Sequence, residues 1–226
     1  MNLKKWLVNK IIKGMIHIIM KVDDRDLVKV PQSGPLLMVA NHVNFLDAPV
    51  IITHLHPRPT TGLVKKETWD KPFLAFLFNI WEGIPIDRDI ADFSAFKAAM
   101  VALKEGKILA VAPEGTRSQT GVLNEGKPGI AMLALKAGVP IMPMAYYGHE
   151  DFPQRIKRLQ RTAITIRVGE AFGLTIDKLP KDKAVLQAIT DELMIEIARL
   201  LPEQYHGVYA GRLDEDHHYL VPLNGS

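Results

Sequence analysis

The chain has 226 residues, 47% of them hydrophobic, and a formal net charge of +3, which excludes a disordered chain and suits one α/β domain with a sizeable core. It contains no cysteine, which excludes a disulfide scaffold, a thiolate zinc site and a covalent thioester on the protein. Lys4, Lys5, Lys10, Lys13 and Lys21 crowd the N-terminus, but no basic stripe interleaved with aromatics appears elsewhere, so nucleic acid is not an expected partner.

Residues 3–22 read as one amphipathic helix. At 100° per residue, Leu7, Val8, Ile11, Ile12, Met15, Ile18, Ile19 and Val22 gather on one side, and Lys5, Asn9, Lys10, Lys13, His17 and Lys21 on the other. Trp6, Ile16 and Met20 break the polar side and Lys4 the apolar one. Such a helix lies in an anionic membrane surface or packs on its own domain; the lysines favour the membrane. Lysine and histidine interrupt the stretch and no small-residue cleavage site follows, so it does not read as a signal peptide. No apolar run approaches the ~20 residues that span a bilayer.

Asp26–Val30 and Leu36–Ala40 then read as strands around the turn Pro31–Pro35, with a short helix after Asp47 and a strand at Thr61–Val64. Pro72–Trp81 is apolar nearly all round, as a buried or lipid-facing helix would be. Asp89 suits the cap of a helix over Ala91–Lys104, which Gly106 ends. Ile108–Ala112 has the length and continuous apolarity of a buried parallel strand. A loop over Pro113–Lys127, a helix at Gly129–Lys136, strands at Ile141–Tyr146 and Ala163–Val168 and a helix at Asp182–Leu200 follow. Strands alternating with helices predict a single α/β domain, its mostly parallel central sheet flanked by helices, with the amphipathic helix in front. The expected divisions are 1–22 for that helix, 23–202 for the domain, and 203–226 for a tail without a clear period.

The residues with most chemical content follow Leu36–Ala40. His42 and Asp47 stand five positions apart in Asn41-His42-Val43-Asn44-Phe45-Leu46-Asp47. A histidine whose tautomer a carboxylate fixes can take a proton from a hydroxyl at neutral pH. On a regular helix five residues differ by about 140°, so the pair can meet only if His42 lies in the turn after the strand and Asp47 at the helix start. The alternative is an Asp47 that caps a helix and a His42 that merely lies in a loop. Arg88 ends an apolar strand-like segment and suits either a phosphate or an ion pair with Asp87 or Asp89.

Four segments carry a family resemblance. Asn41-His42-x4-Asp47, Gly83-Ile84-Pro85-Ile86-Asp87-Arg88, Pro113-Glu114-Gly115-Thr116-Arg117-Ser118 and Val139-Pro140-Ile141-Met142-Pro143 occur in that order. The chain resembles the glycerolipid acyltransferase superfamily, most of all the 1-acyl-sn-glycerol-3-phosphate acyltransferases. The resemblance implies transfer of a fatty acyl group from acyl carrier protein or coenzyme A to the free hydroxyl of 1-acyl-sn-glycerol 3-phosphate, giving phosphatidic acid. No cofactor beyond the thioester co-substrate and no catalytic metal is implied. His42 would be the base and Asp47 its partner. Arg88, Glu114, Gly115, Thr116, Arg117 and Lys66 would bind substrate, with Lys65 and Lys127 as further candidates. Arg117 would touch phosphate, and Glu114 would orient an arginine or a glycerol hydroxyl. Ser118 lies in no Gly-x-Ser-x-Gly elbow, and the resemblance implies direct transfer without an acyl-enzyme. The expected place is the cytoplasmic face of a membrane, peripheral or monotopic.

The chain departs from the family pattern at Val43, where many relatives carry a polar residue, and at Ala112, where phenylalanine is usual; both bear on acceptor or acyl-chain preference. The alternatives are the same chemistry on glycerol 3-phosphate, another lysophospholipid or a glycolipid, a non-catalytic lipid-binding protein, or a lipid hydrolase. His54 with His56, and His149-Glu150-Asp151, are the clusters that invite a metal but lack a full ligand set, and His217-His218 reads as solvated tail.

Overall fold

A computed structural model describes residues 3–88, 90, 92–118 and 120–223. Helix α1 (Leu3–Ile19) runs directly into strand β1 (Met20–Asp23), and a 3-10 turn over Arg25–Lys29 leads to β2 (Leu36–Ala40) and α2 (Asp47–Leu55). Next come β3 (Thr60–Lys65), a 3-10 turn over Lys66–Asp70, α3 (Pro72–Ile80), β4 (Ile84–Ile86), α4 (Phe93–Lys104) and β5 (Ile108–Val111). The remainder is α5 (Gly129–Ala137), β6 (Ile141–Tyr147), α6 (Phe152–Lys157), β7 (Thr162–Val168), β8 (Phe172–Leu174), α7 (Lys183–Arg199) and β9 (Leu220–Pro222).

The strands form one mixed, mostly parallel sheet in the order β1-β7-β6-β2-β5-β3-β4, with β8 and β9 added beside β6. β2 lies parallel to both β5 and β6, and β3 parallel to both β5 and β4; β7 runs antiparallel to β6. The five residues of β2 are all buried, as a strand covered on both faces requires. Leu37 and Val39 face the layer containing Ala99, Leu103, Ile130, Leu133 and Leu193, from α4, α5 and α7. Leu36, Met38 and Ala40 face the other layer, with Ile16, Val50, Ile51 and Leu77 from α1, α2 and α3. The result is the expected helix–sheet–helix arrangement. Its parallel strands β2 to β6 bring their C-terminal ends to one edge, where α/β sheets place their ligands.

Several elements differ from the sequence reading. The helix expected over 3–22 ends at Ile19, because Met20–Asp23 pair with Thr162–Thr165 and extend the sheet. The strand expected at Asp26–Val30 is a 3-10 turn, held by Val30 N to Leu27 O at 3.1 Å and by the Lys29–Asp26 pair at 3.0 Å. Asp89, the expected cap, lies outside the described residues, and Asp92 caps α4 by accepting from Ser94 N and Ala95 N. The tail after Pro202 is structured: Glu192 accepts the backbone N–H groups of His218, Tyr219 and Leu220, and β9 pairs with β8.

Helix α1 is turned relative to its expected faces. Asn9 and Ile16, assigned to the polar side, are buried, and Asn9 Oδ1 accepts the indole N–H of Trp81 at 2.8 Å. Lys5 pairs with Glu82 at 3.0 Å. The apolar arc is wide enough to be divided. Val8, Ile12 and Ile19 pack on the core, while Leu3, Leu7, Ile11, Met15 and Ile18 stay exposed.

Candidate active site

β2 delivers His42 to the turn beyond its C-terminal end, and α2 begins at Asp47. His42 Nδ1 lies 2.6 Å from Asp47 Oδ2. The carboxylate folds back over its own loop, where Oδ2 also accepts Val43 N at 2.7 Å and Asn44 N at 3.1 Å. α2 has no side-chain cap at its start, so Asp47 is not the helix cap of the alternative reading. Its side chain is 5% exposed, against 19% for His42. Burial pushes the Asp47 carboxyl up, but hydrogen bonds from His149 and His42 outweigh it and hold the group below its ordinary 3.8. An ionised Asp47 receiving Nδ1–H leaves Nε2 as the nitrogen of His42 that can accept a proton.

The loop after β5 braces this turn from one side, because Val39 and Val111 are register partners. Glu114 is 1% exposed. One oxygen accepts His42 N at 3.2 Å, and the other accepts Asn124 N at 3.0 Å and Asn124 Nδ2 at 2.8 Å. Glu114 therefore holds two loops together, a correction to its expected place beside an arginine or a glycerol hydroxyl. Burial raises its carboxyl above 4.5 against the opposing bonds from Asn124 and His42. Gly115 turns the backbone at φ +68°, with the Lys127 side chain packed over it. Thr116 and Arg117 are exposed on the outer side of the turn. Ser118 is buried, its N–H on His42 O at 2.7 Å and its hydroxyl donated to Val122 O at 2.6 Å.

The cationic candidates gather along the same edge. Lys65 and Ile86 are register partners at the ends of β3 and β4, which places the Lys66 and Arg88 segments side by side. Desolvation and then the like charge of Arg117 hold the Arg88 guanidinium below its usual value. Lys66 is ion-paired to Asp87, and Lys65 to Glu67 at 3.1 Å.

Two positions that touch the site escaped the sequence reading. Asn41 clamps β2 to β6, donating to Tyr146 O at 2.9 Å and accepting Tyr146 N at 2.8 Å. His149, grouped by sequence with Glu150 and Asp151, instead sets Nε2 2.6 Å from Asp47 Oδ1. The one local signal was Gly148, whose φ of +89° turns the chain out of β6 and back toward the site. Of the other histidines, His54 is buried against Val50 O at 2.8 Å and desolvation lowers its pKa to about 4. His217, expected to be solvated, bonds Glu196 at 2.7 Å.

An α/β sheet edge with a carboxylate-bound histidine, and with Arg117 one residue from Ser118, whose N–H donates to His42 O, has the parts of a base-assisted transfer site for an anionic substrate. A protein-family model described as Acyltransferase matches residues 10–147, and the chain belongs to that family. A 1-acyl-sn-glycerol-3-phosphate acyltransferase of Limnanthes douglasii is 33% identical over 150 residues, covering 63% of this chain and 53% of the relative. A probable 1-acyl-sn-glycerol-3-phosphate acyltransferase of Mycoplasma genitalium is 28% identical over 207 residues, covering 88% and 73%. The chain thus spans about half the length of the plant relative. The crystal structure of the 1-acyl-sn-glycerophosphate (LPA) acyltransferase PlsC from Thermotoga maritima shares the fold at a TM-score of 0.67 and 22% identity, over 87% of this chain and 78% of that one.

Proposed function

We propose that this protein is an O-acyltransferase that moves a fatty acyl group from an acyl carrier protein or coenzyme A thioester to the free hydroxyl of 1-acyl-sn-glycerol 3-phosphate, giving phosphatidic acid. The relatives' printed names support the acceptor. The observation that carries the chemistry is the 2.6 Å contact between His42 Nδ1 and Asp47. His42 Nε2 takes the hydroxyl proton as the oxygen attacks the thioester carbonyl. The carbon–sulfur bond breaks, and the imidazolium returns the proton to the departing thiolate. Arg88 and Arg117 hold the acceptor's phosphate, Arg117 from the loop and Arg88 from the end of β4. Lys66, Lys65 and Lys127 add positive charge to the approach. Gly115 and Thr116 shape the turn that presents Arg117, and Glu114 steadies it from within.

The exposed face of α1 supports association with a membrane surface. Leu3, Leu7, Ile11, Met15 and Ile18 are exposed beside Lys4 and Lys10, and α3 adds exposed Phe73 and Phe76, with Lys4 Nζ 5.3 Å from the Phe76 ring centre. No helix among the described residues is long and apolar enough to cross a membrane. A mixed apolar and cationic face is suited to lying in the headgroup layer of anionic lipid, which also holds the acceptor and product.

The test is purified protein with lysophosphatidic acid and a panel of other lysolipids, each with both thioester donors. Phosphatidic acid is the expected product. His42→Ala is expected to lose roughly 10²–10⁴-fold in turnover while lipid binding persists. Equal turnover by mutant and wild type rejects the base assignment, and a preference for an acceptor without phosphate rejects the arginine assignment.

A further inference from the structure

Asp47 carries a second imidazole that the acyl-transfer step does not call on. Its Oδ2 receives His42 Nδ1, Val43 N and Asn44 N. Among the described residues, the hydrogen-bond partner of Oδ1 is His149 Nε2, at 2.6 Å. His149 is fully buried, and its Nδ1 has no hydrogen-bond partner. An imidazolium there would enclose an unsatisfied N–H, whereas a neutral ring protonated on Nε2 encloses only a lone pair and still donates to Asp47. The backbone that carries the ring is itself held: His149 O accepts Asn44 Nδ2 at 2.9 Å and Phe152 N at 3.2 Å.

We propose that His149 is a positioning residue for His42 that acts through Asp47, gripping Oδ1 so that Oδ2 stays ionised and aimed at His42 Nδ1. A carboxylate bonded at one oxygen can still swing about its last torsion, which is broad. Asp47, held at Oδ2 by three donors, must break the His149 bond at Oδ1 as well before it can swing. The inference rests on the proposed acyl transfer by His42. It differs from a space-filling role, because a residue that only fills volume needs no donor at Nε2.

The groups facing this carboxylate are His42 from the turn after β2, Tyr146 and His149 from β6 and its following loop, and Glu114 at the far side of the His42 backbone. Burial and then the charge of Asp47 keep the Tyr146 phenol protonated well above its usual range. Losing the His149 donor leaves Asp47 less compensated. It then binds a proton more readily and also holds one more tightly on His42. Both changes move the acidic limb of the kcat/KM profile to higher pH.

The experiment compares wild type, His149→Phe, which keeps the volume and loses the donor, and His149→Gln, which keeps a donor near the Nε2 position. Folding is checked by circular dichroism and melting, and turnover is measured with lysophosphatidic acid and acyl-coenzyme A. His149→Phe is expected to lose up to roughly 10²-fold in kcat, the scale of a catalytic group displaced by about 1 Å, with little change in either KM and with the acidic limb shifted upward. His149→Gln recovers most of that loss and the wild-type limb. If His149→Phe does not fold, His149→Asn, whose shorter amide falls short of Oδ1, takes its place. Wild-type kcat and pH profile in a folded donor-less variant overturn the inference, as does a folded His149→Gln as impaired as His149→Phe. A second readout needs no turnover: the low-field N–H proton resonance of His42. It is expected to shift in the donor-less variant and to hold in His149→Gln. An unchanged resonance defeats the positioning role, whereas wild-type protein without transfer defeats the catalytic reading alone.

Discussion

Asn41 and Tyr146 hold each other by both backbone groups of the tyrosine, at 2.9 and 2.8 Å, across the end of β2 and β6. This clamp closes the β2–β6 ladder one residue beyond the last register pair, Ala40 and Met144. It fixes where His42 leaves one strand and, three residues past Tyr146, where His149 approaches Asp47. Asn41→Ala leaves a buried N–H and a buried carbonyl without partners. The expected cost is roughly 2–4 kcal/mol, read as a lower midpoint in chemical denaturation. A midpoint unchanged within error would show that water replaces the clamp.

Glu114 spans the gap between the His42 turn and Asn124 with both oxygens. Glu114→Gln presents an amide N–H₂ to donors at one end, so one of the two loops must come free. The expected loss is about 1–3 kcal/mol of stability together with a lower kcat and an unchanged acceptor KM. A rise in acceptor KM alone would assign Glu114 to substrate contact, against its burial.

Asp47 has a folded-state pKa below its ordinary 3.8, through His149 and His42 acting against burial. A group shifted in that direction contributes stability above its unfolded pKa and loses it as pH falls through the folded value. The melting temperature of wild type should therefore exceed that of Asp47→Asn most clearly above pH 3.8. The gap should narrow as the solution is acidified below that value. A gap that widens on acidification would mean that the folded protein raises the Asp47 pKa above its unfolded value instead of lowering it.

Arg117→Ala is expected to raise the KM for lysophosphatidic acid at least ~10-fold, the scale of one lost charge-assisted pair, while the KM for the thioester changes little. Initial rates with each substrate varied in turn decide it. A defect confined to the donor would move the phosphate site away from this loop.

Truncating residues 1–21 is not a clean test of the membrane face, because it removes the buried Ile16 and Met20 and half of β1. Replacing exposed Leu7, Ile11 and Ile18 by glutamate leaves that packing intact. Each side chain withheld from lipid forfeits roughly 1.5–3 kcal/mol. Sedimentation with anionic vesicles should therefore show binding reduced by well over ~100-fold with melting unchanged. Undiminished sedimentation would place the lipid contact elsewhere.

The elements legible in the sequence were those whose pattern is local. The continuous apolar runs of β2 and β5 announced strands, and the helical spacing of apolar residues announced α7. The His42–Asp47 geometry was legible too, since only a turn followed by a helix start lets the two side chains meet at that spacing. β1 was not legible, because Met20–Asp23 carry the same apolar pattern as the helix before them and become a strand only against β7. The inward face of α1 was misread because Asn9 is polar by type and buried by partnership with Trp81.

Chain order and residue chemistry by themselves determined the α/β class and the meeting of His42 with Asp47, since each follows from short-range pattern. Only the tertiary structure decided that His149, 102 positions from Asp47, completes the grip on that carboxylate, and that Glu114 faces inward. Both depend on which strands become neighbours. Strand order is set by burial and hydrogen bonding summed over the whole sheet, a sum that no local window of sequence contains.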